Sequence, residues 1–245
     1  MIERMVIGQC VPRIEQEHLK RYEFATGYVA AKDVLDIACG SGYGSAMLAD
    51  AGAKSVTGVD LSPEAVEAAT ADFGRDNVRF AVGDVQRLTD IPDASFDLIA
   101  SFETIEHVPD DRAYVDETAR VLRPGGMLLV STPDRRLGSI GPRLRKVPSN
   151  PFHIREYTRK ELIDLLSRRF EIVEEFGQNF ANPVLCLLPI QAGIKAAAYA
   201  LRNIGGQRVS NALYYGGSGP TVRSARNRWG IAGYWVMLCR RPAAS

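Results

Sequence analysis

The stretch VLDIACGSGYGSAMLA, residues 34–49, decides the fold of this chain. Its first five residues are apolar apart from Asp36, and they predict a short buried strand. Gly40, Gly42 and Gly44 follow at alternate positions, and a helical pattern begins directly after them. Glycine lets the backbone turn sharply and come close to a ligand, and the N-terminus of a helix offers free N–H groups. The stretch therefore predicts a strand, a ligand-binding turn and a helix.

Strands and helices continue to alternate along the chain. Apolar runs predict strands at residues 34–38, 55–60, 78–84, 96–102, 126–133, 170–177 and 233–242, and helical patterns predict helices at residues 45–51, 63–73, 111–122 and 157–169. Ser62 before Pro63 is a strong helix start, and Thr158 with Glu161 has the pattern of a capping box. Strands that alternate with helices form βαβ units. We therefore predict an α/β, Rossmann-like fold whose mostly parallel sheet is covered by helices on both faces.

The chain of 245 residues is 46% hydrophobic, which suits one domain with a large core, so we predict a single domain over residues 1–245. About residues 179–232 form an insert before the last strand. Long insertions in compact domains are usually functional or mobile. We expect an acceptor lid or a dimer arm, which leaves a homodimer open, and a membrane-touching surface is the third alternative. The most apolar stretch, residues 180–201, is interrupted by prolines and polar residues. A spanning helix needs about 20 apolar residues, so we expect no stable membrane insertion.

The charge of the chain is nearly balanced but unevenly distributed. A net charge of +1 gives no general case for nucleic acid as a partner. Glu175 is the last acidic residue, and only basic charges follow it. This asymmetry favours an anionic partner, such as a phosphate-bearing or lipid-linked acceptor, although a solvated basic face explains it equally well. The four cysteines are scattered, and the N-terminus has no apolar core of signal-peptide length, so we expect a cytoplasmic protein.

Two further acids stand at the ends of predicted strands. Asp60 ends the second strand, where a carboxylate can accept both hydroxyls of a ribose. Asp84 ends the third strand, and with the backbone N–H of Val85 it can bind the edge of an adenine. Ligands of such sheets bind outside the carboxyl ends of the strands. The G-x-G-x-G spacing differs from the G-x-G-x-x-G of dinucleotide sites, which disfavours a dehydrogenase. A non-catalytic nucleotide-binding regulatory protein remains an alternative.

Five motifs in a fixed order resemble one enzyme family. VLDIACGSGYGS, GVDLS, GDVQRL, FDLIASFETIEHV and VLRPGGMLLVSTP are similar to the motifs of the class I S-adenosylmethionine-dependent methyltransferases, over about residues 15–178. The resemblance implies S-adenosyl-L-methionine as cofactor and a seven-stranded sheet whose last strand is antiparallel. The cofactor-binding residues that it implies are Tyr22, Asp36, Ala38, Cys39, Gly40, Gly42, Gly44, Asp60, Leu61, Asp84, Val85, Phe102 and Glu103.

The stretch SFETIEHVPD, residues 101–110, follows the fourth strand. Glu103, Glu106 and His107 are spaced i, i+3, i+4, so in one helical turn they would share a face. ETIEHV resembles the corresponding stretch of the ubiquinone-biosynthesis O-methyltransferases, in which an acidic pair and a histidine are associated with a divalent cation. The resemblance implies a Mg²⁺ site at these three residues. The alternatives are that Glu103 contacts the cofactor or a backbone N–H and that His107 positions the acceptor or merely packs.

A second histidine stands in NPFHIREYT, residues 150–158. This stretch resembles methyltransferases that act on sugars and glycans. EHLKRYEFA, residues 17–25, resembles the start of the same subgroup, in which an N-terminal helix, here about residues 12–30, covers the cofactor. An alcohol needs a base or a metal to lose its proton at neutral pH, and histidine suits the role of base. His153 and His107 are therefore the catalytic candidates, whereas a pairing of His153 with Glu156 that fixes the loop is the alternative.

These features predict an S-adenosylmethionine-dependent O-methyltransferase that acts on a hydroxyl of a sugar or glycan. The ETIEHV stretch and the apolar insert favour a quinone, aromatic or natural-product O-methyltransferase instead, because a lipophilic acceptor needs an apolar wall. An aminosugar N-methyltransferase is a third alternative, and it needs less help from a base.

Overall fold

The computed structural model describes residues 12–138, 148, 150–180, 221–225 and 232–243, with the side chains of residues 137 and 138 left out. The strands are β1 Asp33–Ile37, β2 Ser55–Asp60, β3 Val78–Val82, β4 Phe96–Phe102, β5 Leu122–Pro133, β6 Glu171–Gln178, β7 Arg223–Ser224 and β8 Tyr234–Arg240. The helices are α1 Pro12–Ala25, α2 Tyr43–Asp50, α3 Pro63–Phe73, α4 Asp111–Val121, α5 Arg135–Gly138 and α6 Arg159–Leu166. Two 3-10 turns, Thr26–Tyr28 and Ile105–His107, complete the described elements.

All the described strands form one sheet in the order β3-β2-β1-β4-β5-β8-β6-β7. Strands β1 to β5 pair in parallel, and β8 lies antiparallel between β5 and β6. The predicted mostly parallel sheet with an antiparallel last strand is therefore confirmed. The predicted count of seven strands is wrong, because β7 makes an eighth by pairing with Phe176 and Gly177 of β6. With only two residues, β7 carries no alternation of apolar and polar side chains by which a sequence could announce it.

Helices cover both faces of the sheet, as predicted. Neighbouring strand residues point to opposite faces, so Leu35 joins one hydrophobic cluster while Val34 joins another. The first cluster includes side chains of α4 and α6, and the second includes side chains of α1 and α2. The sheet therefore lies between two apolar layers, with its strand ends left for a site.

Local sequence signals explain where the helices begin. The Ser62 side chain accepts a hydrogen bond from the Ala65 N–H at the start of α3, and Thr158 and Glu161 form the predicted capping box of α6. Helix α2 begins at Tyr43, two residues before the predicted start at Ser45, so Gly44 lies inside the helix. In the described residues no helix is long and apolar enough to span a membrane. Most of the predicted insert, residues 181–220 and 226–231, lies outside the described residues, so its proposed role as lid or dimer arm stays a prediction.

Candidate active site

Backbone strain marks the edge of the sheet at which β1, β4 and β6 end. The residues directly after these strands are Ala38, Glu103 and Asn179, with φ angles of 53°, 53° and 55°. A positive φ is costly for residues other than glycine, and such residues cluster at functional sites because the surrounding structure has to hold them. The strained positions thus lie where ligands of α/β sheets bind.

The predicted ribose-binding acid supports the glycine-rich turn. One carboxylate oxygen of Asp60 accepts the Gly40 N–H at 2.9 Å, and the other accepts the Ser62 N–H at 3.0 Å. The next residue, Leu61, is 70% exposed, which is unusual for so large an apolar side chain. An acid beside an exposed apolar surface fits a nucleoside, because the carboxylate can bind the sugar hydroxyls while the leucine packs on the base. These residues therefore fit S-adenosylmethionine.

The end of β3 holds the acid predicted to bind the adenine edge. Asp84 is exposed, and its carboxylate accepts the Gln86 N–H at 2.9 Å. The side chain of Val85 packs into the hydrophobic core. A contribution of Val85 to a ligand would therefore come from its backbone, as the sequence analysis assumed.

Asp36 lies beneath the glycine-rich turn and is fully buried. It accepts hydrogen bonds from the Tyr22 hydroxyl at 3.0 Å and from the Ser45 hydroxyl at 2.6 Å. Burial raises the pKa of Asp36 to about 7, although these two hydrogen bonds act in the opposite direction. Because its oxygens already accept protein donors, Asp36 fixes α1 and α2 to β1. Its predicted contact with the methionine part of the cofactor stays a prediction.

The glycines of the turn have packing reasons of their own. A Cβ atom at Gly44 would lie 2.1 Å from the ring of Tyr22, and one at Gly42 would lie 2.7 Å from the Cβ atom of Ala69. Gly42 also has a φ of 84°, which favours glycine. The ring of Tyr22 in turn packs edge-on against Phe102, with 5.1 Å between the ring centroids. Gly44 is therefore required by the close approach of α1, whatever its backbone binds.

Beside this edge, two loops bring both catalytic candidates together. The carbonyl oxygen of Glu106 accepts the N–H groups of Ile154 at 2.8 Å and of Arg155 at 3.2 Å, which docks the loop of residues 150–156 on the turn after β4. The rings of His107 and His153 consequently meet edge-on with centroids 4.9 Å apart. One ligand atom each of Glu106, His107 and His153 lies within 4.8 Å of the others. We call these three residues the Glu-His-His cluster.

Hydrogen bonds fix the orientation of both rings in the cluster. His153 Nδ1 lies 2.9 Å from a carboxylate oxygen of Glu156, and its Nε2 lies 2.9 Å from the amide nitrogen of Asn150. His107 Nδ1 lies 3.0 Å from the carbonyl oxygen of Phe152. Since carboxylate and carbonyl oxygens only accept, each neutral ring carries its proton on Nδ1 and its lone pair on Nε2. The pairing of His153 with Glu156, one of the alternatives from the sequence, is thus present.

The carboxylate of the cluster is fully buried and incompletely paired. Glu106 Oε2 accepts a hydrogen bond from the Thr132 hydroxyl at 3.0 Å, whereas Oε1 has no hydrogen-bond partner. Burial, and next the charge of Glu103, raise the pKa of Glu106 well above its usual range. A buried oxygen without a partner is rare in native proteins and points to a functional group.

Glu103 stands apart from this cluster, contrary to the spacing argument. Its φ of 53° turns the chain, and the 3-10 turn begins only at Ile105, so the residues from 103 to 107 do not form one helical turn. The Glu103 carboxylate instead accepts a hydrogen bond from the Ser131 hydroxyl at 2.6 Å. The predicted Mg²⁺ ligands Glu103, Glu106 and His107 therefore do not fit as a set, because the structure puts His153 in the place of Glu103.

A buried arginine near this edge is absent from the site residues predicted from the sequence. Arg21 of α1 is fully buried, donates to the side chain of Gln178, and lies over the ring of Tyr234 at 4.8 Å from its centroid. Its Nε and one terminal nitrogen have no hydrogen-bond partner. A buried cation with unused donors is costly to the fold, so Arg21 is suited to bind an anionic group. The signal in the sequence is weak, because it consists of the spacing alone: Arg21 follows Glu17 by one helical turn.

Known proteins resemble this chain in sequence and fold. Residues 35–130 match the family described as methyltransferase domain. A Mycolicibacterium smegmatis protein named as a probable S-adenosylmethionine-dependent methyltransferase is 40% identical over 163 residues, 66% of this chain and 61% of that protein. A ubiquinone biosynthesis O-methyltransferase of Idiomarina loihiensis is 36% identical over 130 residues, 52% of this chain and 53% of that protein. The chain thus spans less than two thirds of the length of these relatives.

A solved structure shares the fold over most of its length. An S-adenosylmethionine-dependent methyltransferase of Mesorhizobium loti superimposes with a TM-score of 0.61 at 18% identity, over 92% of this chain and 98% of that one. At this identity the likeness concerns the fold alone. Residues 35–130 thus match a methyltransferase domain, and the strand order and the motifs along the sheet edge are similar to those of the class I S-adenosylmethionine-dependent methyltransferases.

Proposed function

We propose that the protein transfers the methyl group of S-adenosylmethionine to a hydroxyl oxygen of its acceptor. The observation that carries this proposal is the Glu-His-His cluster, in which Glu106 and His107 closely follow the strand that ends at the cofactor edge. Methyl transfer is an in-line displacement, so the protein mainly has to position the acceptor. A hydroxyl must in addition lose a proton, and the cluster supplies groups suited to that task.

The cofactor would be held by residues at the ends of β2, β3 and β4 and by Tyr22 of α1. Asp60 accepts the ribose hydroxyls, Leu61 packs on the adenine, and Asp84 binds its edge. Phe102 and Tyr22 form the wall at the methionine end, since Phe102 ends β4 and the Tyr22 ring packs against it while its hydroxyl donates to Asp36 of β1. When bound, S-adenosylmethionine supplies an electrophilic methyl group on its sulfonium.

The proposed role of the cluster is to make the acceptor hydroxyl lose its proton. The carboxylate of Glu156 holds the proton on Nδ1 of His153 and leaves the lone pair on Nε2, 2.9 Å from the Asn150 amide. That lone pair can accept the hydroxyl proton, with the carboxylate stabilising the imidazolium that forms. It can also bind a cation that lowers the pKa of the hydroxyl.

A sugar or glycan hydroxyl is our first choice of acceptor. The support is the similarity of residues 17–25 and 150–158 to enzymes of that class, together with the chemistry: an aliphatic hydroxyl is a weak acid and depends most on such a cluster. A quinone-type phenol is the second candidate, because the Idiomarina loihiensis relative acts, by its name, in ubiquinone biosynthesis.

An acceptor screen tests the proposal. The protein is incubated with labelled S-adenosylmethionine and separate panels of saccharides, nucleotide sugars and catechols, and mass spectrometry locates the transferred methyl group. We expect methylation on oxygen, and a loss of kcat of about 10²- to 10⁴-fold in His153→Ala with an unchanged Kd for the cofactor. His18→Ala, which changes a histidine of α1 outside the cluster, is the control.

Each result has one meaning. Methylation of catechols alone would select the second candidate, and methylation on nitrogen or carbon would refute the transfer to oxygen. Full kcat in His153→Ala would show that the cluster does not remove the proton. Failure to bind S-adenosylmethionine by calorimetry would refute the proposed function as a whole.

A further inference from the structure

We propose that the Glu-His-His cluster is a binding site for a borderline divalent transition-metal ion such as Zn²⁺, formed by two separate loops, and not a Mg²⁺ site. The ligands are Glu106 Oε1, His107 Nε2 and His153 Nε2. The binding of the ion stands on geometry alone, and only its use in catalysis rests on the proposed function.

The spacing of the cluster suits one ion. Ligands at about 2.1 Å from a common cation lie about 3 to 3.5 Å from one another. One possible ligand atom of each residue already lies within 4.8 Å of those of the other two without an ion. Small side-chain rotations close the remaining distance, and the amide of Asn150, which donates to His153 Nε2, is the group that the ion displaces.

The surroundings of both imidazoles are those of metal ligands. A histidine that binds a metal almost always donates its other ring N–H to a carboxylate or a backbone carbonyl. His153 has Glu156 in this position, at 2.9 Å, and His107 has the carbonyl of Phe152, at 3.0 Å. Both rings are thereby held with Nε2 as the ligand atom.

The third ligand explains the unpaired oxygen of the fully buried Glu106. Its Oε2 accepts from Thr132, which orients the carboxylate, while Oε1 is the oxygen without a hydrogen-bond partner. Leaving such an oxygen unpaired in the interior is costly. A cation bound by both histidines supplies the partner that the fold does not.

The donor set decides the kind of metal. Mg²⁺ prefers oxygen ligands and keeps several waters, whereas imidazole suits Zn²⁺ and its first-row neighbours. Glu103 would have added a second carboxylate to the ligand set, but its carboxylate accepts a hydrogen bond from the Ser131 hydroxyl. Three protein ligands leave a coordination position at which the acceptor oxygen can bind and lose its proton more readily. His153 Nε2 is then a ligand, so the ion takes the place of the ring as the group that promotes deprotonation.

Spectroscopy tests the site without reference to catalysis. The metal-depleted protein is titrated with Co²⁺, whose visible absorption reports the ligand field, and with Zn²⁺ and Mg²⁺ in a calorimeter. We expect one Co²⁺ per chain, displacement by Zn²⁺ and no competition from Mg²⁺. His107→Ala and His153→Ala should each lose affinity by more than about tenfold, while the matched acid variant Glu103→Gln should keep it. Circular dichroism confirms that each variant is folded.

The possible failures are distinguishable. Absence of Co²⁺ and Zn²⁺ binding in the native sequence would overturn the metal site, as would a loss of affinity in Glu103→Gln with none in His153→Ala. Methyl transfer by metal-depleted protein in the presence of a chelator would also overturn the catalytic use of the ion, yet it would leave the proposed function intact. If the metal binds as expected but no acceptor is methylated, the proposed function is refuted and the metal site is supported.

Discussion

Replacing Gly44 by alanine tests whether this glycine serves packing or ligand binding. The new methyl group would lie 2.1 Å from the Tyr22 ring, and α1 or the ring has to move. Overpacking of this kind costs about 1 to 3 kcal/mol. Alanine regains at most about 1 kcal/mol through its higher helix propensity. Because a contact of 2.1 Å is severe, we take the upper part of the overpacking range, about 2 to 3 kcal/mol, and expect Gly44→Ala to lower the free energy of unfolding by about 1 to 2 kcal/mol after the gain in helix propensity is subtracted.

A second substitution, which removes the Tyr22 ring, should reverse the sign of the stability change that Gly44→Ala causes. In the background of Tyr22→Ala the ring is gone, so Gly44→Ala should become neutral or stabilising by up to about 1 kcal/mol. Tyr22→Ala alone costs about 3 to 5 kcal/mol, and the coupling between the two sites appears in the double-mutant cycle. Urea unfolding followed by circular dichroism measures all four proteins.

A matched glycine serves as the control of this experiment. Gly27→Ala places a methyl group with no atom within 4 Å, so it should change stability little in either background. The packing argument fails if Gly44→Ala costs the same with and without the tyrosine ring. It fails also if Gly44→Ala leaves stability unchanged and only weakens the binding of S-adenosylmethionine, because the glycine then serves the ligand.

Two further predictions concern buried charges. The pKa of Asp36 is raised from 3.8 to about 7 in the folded protein. The folded state therefore keeps the Asp36 proton up to a higher pH than the unfolded state does, and the free energy of unfolding falls as the pH rises from about 4 to about 7. Asp36→Asn should remove this fall, which is at most about 4 kcal/mol for three pKa units. Urea unfolding of both proteins at several pH values measures the difference. Parallel profiles of the free energy of unfolding against pH would contradict the prediction. Arg21→Met should weaken the binding of S-adenosylmethionine or of an anionic acceptor by about 10- to 100-fold, with little loss of stability because a buried cation is removed. Calorimetry with each ligand checks this, and unchanged affinity for both would refute the anion-binding role.

The fold followed from the sequence where the chemistry is local. Periodicity and caps located α3, α4 and α6 within a few residues, because Ser62, Thr158 and the apolar spacing act within one helical turn. The sequence pattern gave wrong boundaries or missed an element where tertiary contacts determine the secondary structure. Helix α2 begins inside the glycine-rich stretch, where Tyr22 fills the space above Gly44, and β7 exists only through its pairing with β6.

The site was predicted less completely, for identifiable physical reasons. Asp60 could be placed because a residue at the end of a parallel strand lies at the ligand edge by topology, whereas Leu61 followed from the family resemblance. The partners of Glu106 could not be placed, because sequence spacing assumes a helical turn and Glu103 has a positive φ. Arg21 gave only a weak signal, since a charged residue on a helix is usually solvated.

The docking of the histidine loop separates the chemistry of this protein from its choice of acceptor. The carbonyl oxygen of Glu106 accepts hydrogen bonds from two backbone N–H groups of the loop. The side chains of Tyr157 and Arg155 both donate to Asp111 at the start of α4. The loop is therefore held at two points by the chain that leaves β4, so its distance from the cofactor edge is set by the sheet. The proposed choice of acceptor would then depend on groups outside this loop. Arg21 on α1, whose Nε and one terminal nitrogen have no hydrogen-bond partner, is suited to an anionic acceptor.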